Sequence, residues 1–231
     1  LNGEDDDGET AVYYAARNGQ LDILKWLVTP KEEGGGGCDL SVKTNYGATA
    51  VHLAAEKGQL ETLQWLVTSK ENGGGGCDLN GEDDDGETAV YYAARNGHLE
   101  TLQWLVKPKG EGGEGCDLNG KDYEGNTIVH IAAAMGHFDM LKWLVTSKEN
   151  GGGGWDLNVK NIAGFTVVNY AVQKGQLPIL QWLATSKENA GAGCDLNVKD
   201  NYGATAVHCA AQYGQLETLQ WLVKPKGEGG G

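Results

Sequence analysis

Basic residues are scarce in this sequence. Lys and Arg number 18 against 32 Asp and Glu, which gives a formal net charge of −14 at pH 7. Proteins that bind nucleic acids or anionic membrane surfaces rely on clusters of Lys and Arg. No apolar run approaches the roughly 18 residues of a membrane-spanning helix. The sequence therefore predicts that neither nucleic acid nor a membrane is a partner.

Signatures of catalysis and of cofactor binding are also missing. No Cys-x-x-Cys pair occurs among the five cysteines, which removes the usual zinc and redox patterns, and no serine lies in a G-x-S-x-G elbow. Residues 110–115 match G-x-G-x-x-G, but they neither follow a clear strand nor open a helix, and their two Glu would repel a pyrophosphate. A P-loop-like spacing from Gly115 places Asp122 where Ser or Thr must hold Mg²⁺. We predict a protein that is not an enzyme and that uses no cofactor or metal.

Two acidic runs, at residues 4–7 and 82–85, are the segments most similar in composition to a calcium-binding loop. An EF-hand loop needs oxygen ligands at set positions around a central glycine. Aligning Gly8 with that glycine places Gly3 at the first ligand position, so the pattern fails. A solvated turn that faces a partner is the preferred interpretation, and weak binding of divalent cations is the alternative.

Glycine is plentiful, with 37 residues, and its placement follows a repeat. A self-similar pattern recurs every 39 residues, and fixed periods of this kind are typical of repeat architectures. Each copy reads as a turn, a short helix, a second helix and a glycine-rich loop. The copies open at Leu1, Leu40, Leu79, Leu118, Leu157 and Leu196. The period predicts a single domain over 1–231, with repeats at 1–39, 40–78, 79–117, 118–156, 157–195 and 196–231.

The second repeat illustrates the local signals. Asn45-Tyr46-Gly47 predicts a turn, because glycine readily adopts the positive φ that such turns need. Thr49 precedes an apolar segment and is suited to cap a helix, which Gly58 would end. A second helix is expected from about Leu60, with apolar residues at helical spacing. In the fifth repeat Pro178 falls in the first turn of this helix, where its missing N–H costs little.

These segments resemble a known repeat family. Residues 49–55 (TAVHLAA) are similar to the Thr-Pro-Leu-His-x-Ala signature of the ankyrin repeat, as are residues 127–132 and 205–210. The resemblance implies an all-α, ankyrin-type solenoid of stacked helix-turn-helix units with β-turn tips. The family proline is replaced by Ala, Ile or Val, and each full repeat is six residues longer than the family length of 33. The added residues, 68–76 in the second repeat, predict a row of glycine-rich loops along one edge.

Recurrent tryptophan and histidine positions are interpreted as structural. The tryptophans lie beside apolar residues of the second helices, so core packing is expected in place of a binding stripe. The histidines recur two repeats apart, too far to share a metal ion, and the resemblance implies that each links a threonine to the backbone of a neighbouring repeat. The positions concerned are Trp26, Trp65, Trp104, Trp143, Trp182 and Trp221, and His52, His130 and His208.

The turn tips differ from one repeat to the next, whereas the frame around them is constant. Ankyrin-type domains bind protein partners through these tips and through the inner helix, so the resemblance implies a protein-binding surface here. Mixed polar and aromatic side chains suit such surfaces. The predicted partner-binding residues are Asp6, Asp7, Asn45, Tyr46, Asp84, Asp85, Tyr123, Glu124, Ile162, Asn201 and Tyr202.

The first and last repeats keep the apolar pattern of the interior repeats, although solenoids need polar caps at their ends. Both ends are therefore expected to be adhesive and complementary, and head-to-tail contacts that do not close form filaments. This pattern slightly favours end-to-end self-association into a structural filament. The predicted self-association residues are Val12, Leu21, Leu24, Leu27, Val207, Leu216, Leu219 and Leu222.

The alternative is that the 231 residues are a fragment of a longer protein, which recognises a foreign protein through its tips and inner helices. Cys38, Cys77, Cys116 and Cys194 share one repeat position, and adjacent members of such a row lie too far apart to form a disulfide. Unbridged cysteines favour a reducing, cytoplasmic location. An extracellular fibre is the other option, since its cysteines would never meet.

Overall fold

The computed structural model describes residues 3–68, 74–107, 113–146, 155–185 and 192–224, and across these ranges the protein is all-α. They contain twelve α-helices and no β-strand. The chain divides into two compact bodies, here called the first body (Leu1–Leu118) and the second body (Asn119–Gly231). The predicted all-α repeat fold is confirmed. None of the helices in the described ranges is long and apolar enough to cross a membrane.

The first body contains three helix pairs and one short 3₁₀ turn at Lys31–Glu33. Its helices are α1 (Ala11–Arg17), α2 (Leu21–Val28), α3 (Ala50–Glu56), α4 (Leu60–Val67), α5 (Ala89–Arg95) and α6 (Leu99–Val106). Each odd-numbered helix packs against the even-numbered helix that follows it, and α3 lies between α1 and α5. The odd-numbered helices therefore form one layer and the even-numbered helices flank it.

Local chemistry fixes the ends of these helices. Thr49 is the N-cap of α3, and the imidazole of His52 accepts a hydrogen bond from its N–H, which completes a capping box. Gly58 follows the end of α3 with φ of 65°, a conformation that glycine adopts at little cost. Helix α4 then begins at Leu60, as the sequence predicts.

The core of the first body combines small residues in α1, α3 and α5 with leucines in α2, α4 and α6. Ala54 and Ala55 are fully buried in α3, which lets the neighbouring helices approach closely. Leu63 and Leu66 are fully buried in α4, at the helical spacing of an apolar face. Burial of this apolar surface is the main favourable term in the stability of the body.

The second body repeats the arrangement with α9 between α7 and α11, and with each of these helices packed against its own second helix. Its helices are α7 (Ile128–Met135), α8 (Phe138–Thr146), α9 (Val167–Gln173), α10 (Leu177–Ala184), α11 (Ala206–Gln212) and α12 (Leu216–Val223). Pro178 occupies the first turn of α10, the predicted position. Fully buried side chains include Ile128, Leu141, Leu144, Leu180 and Leu183.

The first glycine-rich segment, which contains the 3₁₀ turn, lies within the described residues, whereas the later segments are described only at their edges. Gly75 N–H donates to the carbonyl of Trp65 over 2.9 Å, and Cys77 N–H donates to the carbonyl of Leu66 over 2.8 Å, so the end of the segment folds back onto α4. The predicted row of loops falls largely on residues 69–73, 108–112, 147–154, 186–191 and 225–231, which lie outside the described residues.

Candidate protein-binding surface

The turns that precede the odd-numbered helices share one hydrogen-bonded frame. In the third turn, Asp83 Oδ1 accepts hydrogen bonds from the N–H groups of Asp85 (3.0 Å) and Glu87 (2.8 Å). The Gly86 N–H closes the turn on the carbonyl of Asp83 at 3.2 Å. The side-chain oxygens that accept the equivalent pair of bonds in the other turns belong to Asp5, Thr44, Asp122, Asn161 and Asp200.

Neighbouring turns within each body are joined by backbone hydrogen bonds. In the first body the Asn45 N–H donates to the carbonyl of Asp7, and the Asp84 N–H donates to the carbonyl of Tyr46, both over 3.0 Å. In the second body the Ile162 N–H donates to Glu124 over 3.0 Å, and the Asn201 N–H donates to Ala163 over 3.2 Å. The tips therefore stand in a fixed register within each body.

Glycine is required at the close of these turns for two separate reasons. Gly47 has φ of +76°, which side-chain-bearing residues rarely adopt. A Cβ atom at this position would also lie 2.4 Å from Asp84 Oδ1 and 2.8 Å from the Asp84 backbone nitrogen. The close approach of consecutive turns thus depends on the absence of a side chain.

All eleven residues that the sequence predicts at the tips are exposed. The apolar and aromatic members are the most prominent, with exposed fractions of 64% for Tyr46, 66% for Tyr123, 70% for Ile162 and 85% for Tyr202. Single exposed apolar residues are ordinary on protein surfaces, but rows of them mark interaction sites. Tyr123, Ile162 and Tyr202 form such a row on the second body, whereas Tyr46 lies between acidic tips on the first body.

A groove of about 450 Å³ lies beside the tips of the first body. Tyr46, Leu53 and Tyr92 supply aromatic and aliphatic surface to it. Its acidic lining consists of Asp7, Glu9, Glu56, Asp83, Asp85 and Glu87. The arginines in the lining, Arg17 and Arg95, form ion pairs with Glu9 and Glu87 respectively.

A groove of about 600 Å³ occupies the equivalent place on the second body. It is lined by the exposed tips Tyr123, Ile162 and Tyr202, with Phe165 and Tyr170 behind them. Glu124 and Lys174 are the charged residues of its described lining. The two bodies therefore present different chemistry in the same frame.

Two of the recurrent histidines, His52 and His130, link helix pairs as the family resemblance implies, whereas His208 contacts Thr205 at the start of its own helix. In the second body His130 Nδ1 accepts a hydrogen bond from the Thr127 N–H (3.0 Å), so its proton lies on Nε2, which donates to the carbonyls of Val159 (3.0 Å) and Phe165 (3.2 Å). Burial lowers the pKa of His130 below its usual range, because the cation loses hydration. Asn169 takes this position in α9, where its Oδ1 accepts from the Thr166 N–H at 2.9 Å.

The residues predicted for self-association divide into two groups. Val207 and Leu216 are exposed, and Leu21 and Leu219 are half-buried. The remaining predicted residues form the contacts between the two helices of a pair. They are therefore buried inside their own body and offer little surface to a second molecule. These buried residues are Val12, Leu24, Leu27 and Leu222.

Several exposed apolar residues near the same helices are absent from the predicted set. Ile23 is 51% exposed, whereas Thr62, its counterpart in α4, is buried under a neighbouring helix pair. Helical spacing could have found Ile23 and Trp26, which lie three residues apart on α2, next to the buried face of Leu24. The exposed residues that the sequence interpretation missed are Tyr14 and Ile23 in the first body, and Tyr213 and Val223 in the second. The sequence predicts core packing for Trp26, but it is 50% exposed, whereas Trp143 at the equivalent position is buried.

The helix pairs and turn tips define a helical repeat protein, and comparison with known proteins assigns the chain to the same class. A family model described as ankyrin repeats (3 copies) matches residues 1–80, 70–161 and 151–229. The chain belongs to the ankyrin repeat family. Ankyrin repeats are protein–protein interaction modules, and they are generally not catalytic.

Two solved structures have a similar fold. One is a chain of the complex between the predatory endopeptidase Bd0816 of Bdellovibrio bacteriovorus and the immunity protein Bd3460, with 23% identity, a TM-score of 0.65 and coverage of 92% of this chain and 96% of that chain. The other is the ankyrin repeat domain of Bcl-3, a member of the IkappaB protein family, with 25% identity, a TM-score of 0.62 and coverage of 91% and 83%. A search of curated proteins found no match.

Proposed function

We propose that this chain is a non-catalytic scaffold that binds a protein partner through its turn tips and the adjoining faces of the odd-numbered helices. One observation carries the proposal. The same hydrogen-bonded frame holds each tip, while the exposed side chains on the frame differ from aspartates to tyrosines and isoleucine. A constant support with variable exposed residues is suited to recognition, because the support pre-organises the contact surface.

We further propose that the chain comprises six repeats within one domain, five of 39 residues and a shorter sixth at 196–231, each full repeat carrying a six-residue glycine-rich insertion. The recurrence of the turn acceptor supports this period, since Asp5, Thr44 and Asp83 are spaced by 39 residues, as are Asp122, Asn161 and Asp200. Family membership supports the repeat architecture itself.

Selection from a random peptide library tests the binding role of the tips. The immobilised chain is the target, and bound peptides are measured against a variant with Tyr46, Tyr123, Ile162 and Tyr202 each changed to alanine. We expect enriched peptides to lose most of their affinity for this variant, because aromatic side chains dominate many interfaces. A matched control changes Lys25, Gln64, Gln181 and Gln220, which are exposed on the second helices, to alanine.

The control variant should bind the enriched peptides as the parent chain does. Peptides that bind the parent, the tip variant and the control equally would overturn the proposed role of the tips. Circular dichroism of all three proteins checks that each remains helical.

A second candidate function is end-to-end self-association into a filament. The exposed apolar side chains of the first and last helix pairs favour it, notably Ile23 at 51% and Leu216 at 64% exposure. A shallow apolar depression lined by Ala11, Tyr14 and Ile23 adds surface for such a contact on the first helix pair. Association that does not close would extend into open assemblies.

Light scattering and negative-stain electron microscopy over a concentration series test self-association. We expect particle size to grow with concentration, and to stop growing when Ile23 and Leu216 are each changed to glutamate. Changing two exposed tip residues, Tyr123 and Ile162, to glutamate adds the same charge elsewhere and should leave growth intact. A parent chain that stays monomeric at every concentration would rule out the filament and leave the tip proposal standing.

A further inference from the structure

The groove of the first body has an excess of carboxylates over the cations that could neutralise them. Six carboxylates line it, against two guanidinium groups. Asp7 and Asp85 are exposed, and Asp6 and Asp84 flank them on the same tips, also exposed. The exposed tip carboxylates therefore create a negative potential along one side of the groove.

The arginines of the groove are already engaged with carboxylates. Arg17 forms an ion pair with Glu9, and its Nε also lies 3.8 Å from Glu56 Oε2. Arg95 forms an ion pair with Glu87. These pairs engage Glu9, Glu56 and Glu87, while the buried Asp83 accepts hydrogen bonds from backbone N–H groups and from the Tyr92 hydroxyl. Among the described residues, the exposed tip carboxylates form no ion pair with these arginines, so their negative charge is available to a partner.

The groove also shows how it accommodates a guanidinium group. The Arg95 guanidinium carbon lies 5.9 Å from the centre of the Tyr92 ring while the same side chain contacts Glu87. In the first helix pair of the same body, the guanidinium carbon of Arg17 lies 6.0 Å from the centre of the Tyr14 ring. Stacking on an aromatic face combined with a carboxylate contact is a favourable setting for arginine. Tyr46, exposed between the two acidic tips, offers a further ring in the same row.

The second body provides an internal comparison. Its groove has a similar position and is richer in aromatic residues, but one carboxylate and one ammonium group balance each other in the described lining. The excess of negative charge is therefore a property of the first groove and not of the shared frame.

We propose that the groove of the first body binds an extended basic segment of a protein partner, with Arg or Lys side chains placed between the tip carboxylates and the tyrosine rings. This inference rests on the proposed function and specifies the chemistry of the partner. Charge complementarity speeds association and selects the partner. The binding is therefore sensitive to salt, because the tip carboxylates are exposed and screened.

The test uses the full chain and three short fluorescent peptides of equal length, in which Ser alternates with Arg and Lys, with Glu, or with Gln. Fluorescence anisotropy measures their binding at low and at physiological ionic strength. We expect the basic peptide to bind, the other two to bind at least about tenfold more weakly, and the affinity of the basic peptide to fall with salt.

Two variants locate the site. The first changes Asp6, Asp7, Asp84 and Asp85 to asparagine, and it is expected to bind the basic peptide about tenfold more weakly. The second removes the same number of negative charges at exposed positions on the second helices, by Asp22→Asn, Glu61→Gln, Glu100→Gln and Glu217→Gln. This control is expected to bind as the parent does.

Equal losses in both variants would overturn the inference, because they would show a response to net charge and not to the groove. Absence of binding by the basic peptide would overturn it as well. If library peptides that depend on the tips prove to be apolar or neutral, the basic-segment inference fails while the proposed function holds. If no selected peptide depends on the tip residues for binding, both the proposed function and the basic-segment inference fail.

Discussion

The imidazole of His52 connects two helix pairs of the first body: its Nε2 lies 3.0 Å from the carbonyl oxygen of Gly81, twenty-nine residues further along the chain. The same nitrogen lies 3.2 Å from the carbonyl oxygen of Glu87. Nδ1 accepts a hydrogen bond from the Thr49 N–H at 3.0 Å, which fixes the proton on Nε2. One neutral side chain thus caps α3 and holds the following turn.

Acidification should weaken the fold through these histidines. Burial lowers the pKa of His52, against the opposing effect of Asp83, and burial likewise lowers the pKa of His130. The unfolded chain therefore binds more protons than the folded chain once the pH falls below about 6.5. The contribution of the two neutral histidines to the free energy of unfolding is complete above that pH. It is lost as the pH falls through their lowered pKa values. Denaturant unfolding measured between neutral and mildly acidic pH checks this expectation.

The chain supplies its own control for the histidine prediction. Asn169 fills the equivalent position in α9 and accepts the same capping hydrogen bond without titrating. The double variant His52→Asn, His130→Asn should therefore lose part of the pH dependence of the free energy of unfolding. An identical slope in parent and variant would assign the pH dependence to other groups.

Alanine at Gly47 should destabilise the protein. The positive φ and the contact with the backbone of Asp84 together predict a loss of at least about 1–2 kcal/mol in the free energy of unfolding. Gly81 is the matched control, because a Cβ there meets nothing within 4 Å. Chemical denaturation of both variants makes the comparison. A Gly47→Ala protein as stable as Gly81→Ala would contradict the close approach of the turns.

Removal of the side-chain oxygen that accepts the hydrogen bonds of a turn should lower the free energy of unfolding, whereas exchange of the carboxylate for an amide should change it little. Asp200 Oδ1 accepts from the N–H groups of Tyr202 at 2.8 Å and Ala204 at 2.9 Å. Asp200→Ala leaves both donors without this acceptor, with an expected loss of about 1–3 kcal/mol. Asp200→Asn should cost much less, since Asn161 makes the same pair of bonds in its own turn. Thermal unfolding of the two variants checks the order, and equal losses would argue against a role for the acceptor.

Truncation of a core leucine should have a far larger effect than truncation of an exposed one. Leu102 in α6 is fully buried, so Leu102→Ala should cost about 2–5 kcal/mol through lost burial and a cavity. Leu216 in α12 is 64% exposed, and Leu216→Ala should cost less than about 0.5 kcal/mol. Denaturant unfolding measures both losses in the free energy of unfolding. The protein is kept dilute so that self-association does not contribute to them.

The sequence by itself determined the helices and the turns, because their signals are local. Thr49 caps α3, Pro178 enters the first turn of α10 and Gly47 closes a turn, and each of these follows from the residue and its immediate neighbours. The exposed tips followed as well, since residues at the centre of a tight turn project away from the helices behind them.

Only the tertiary structure decided which apolar faces remain exposed and where charges meet. Ile23 is exposed and Thr62 is buried at equivalent positions, because burial depends on whether a neighbouring helix pair covers the face. For the same reason Leu24 and Leu27 pack inside the first body although the sequence places them among the self-association residues. The ion pairs of Arg17 and Arg95, and with them the acidic character of the groove, arise from residues that only folding brings together.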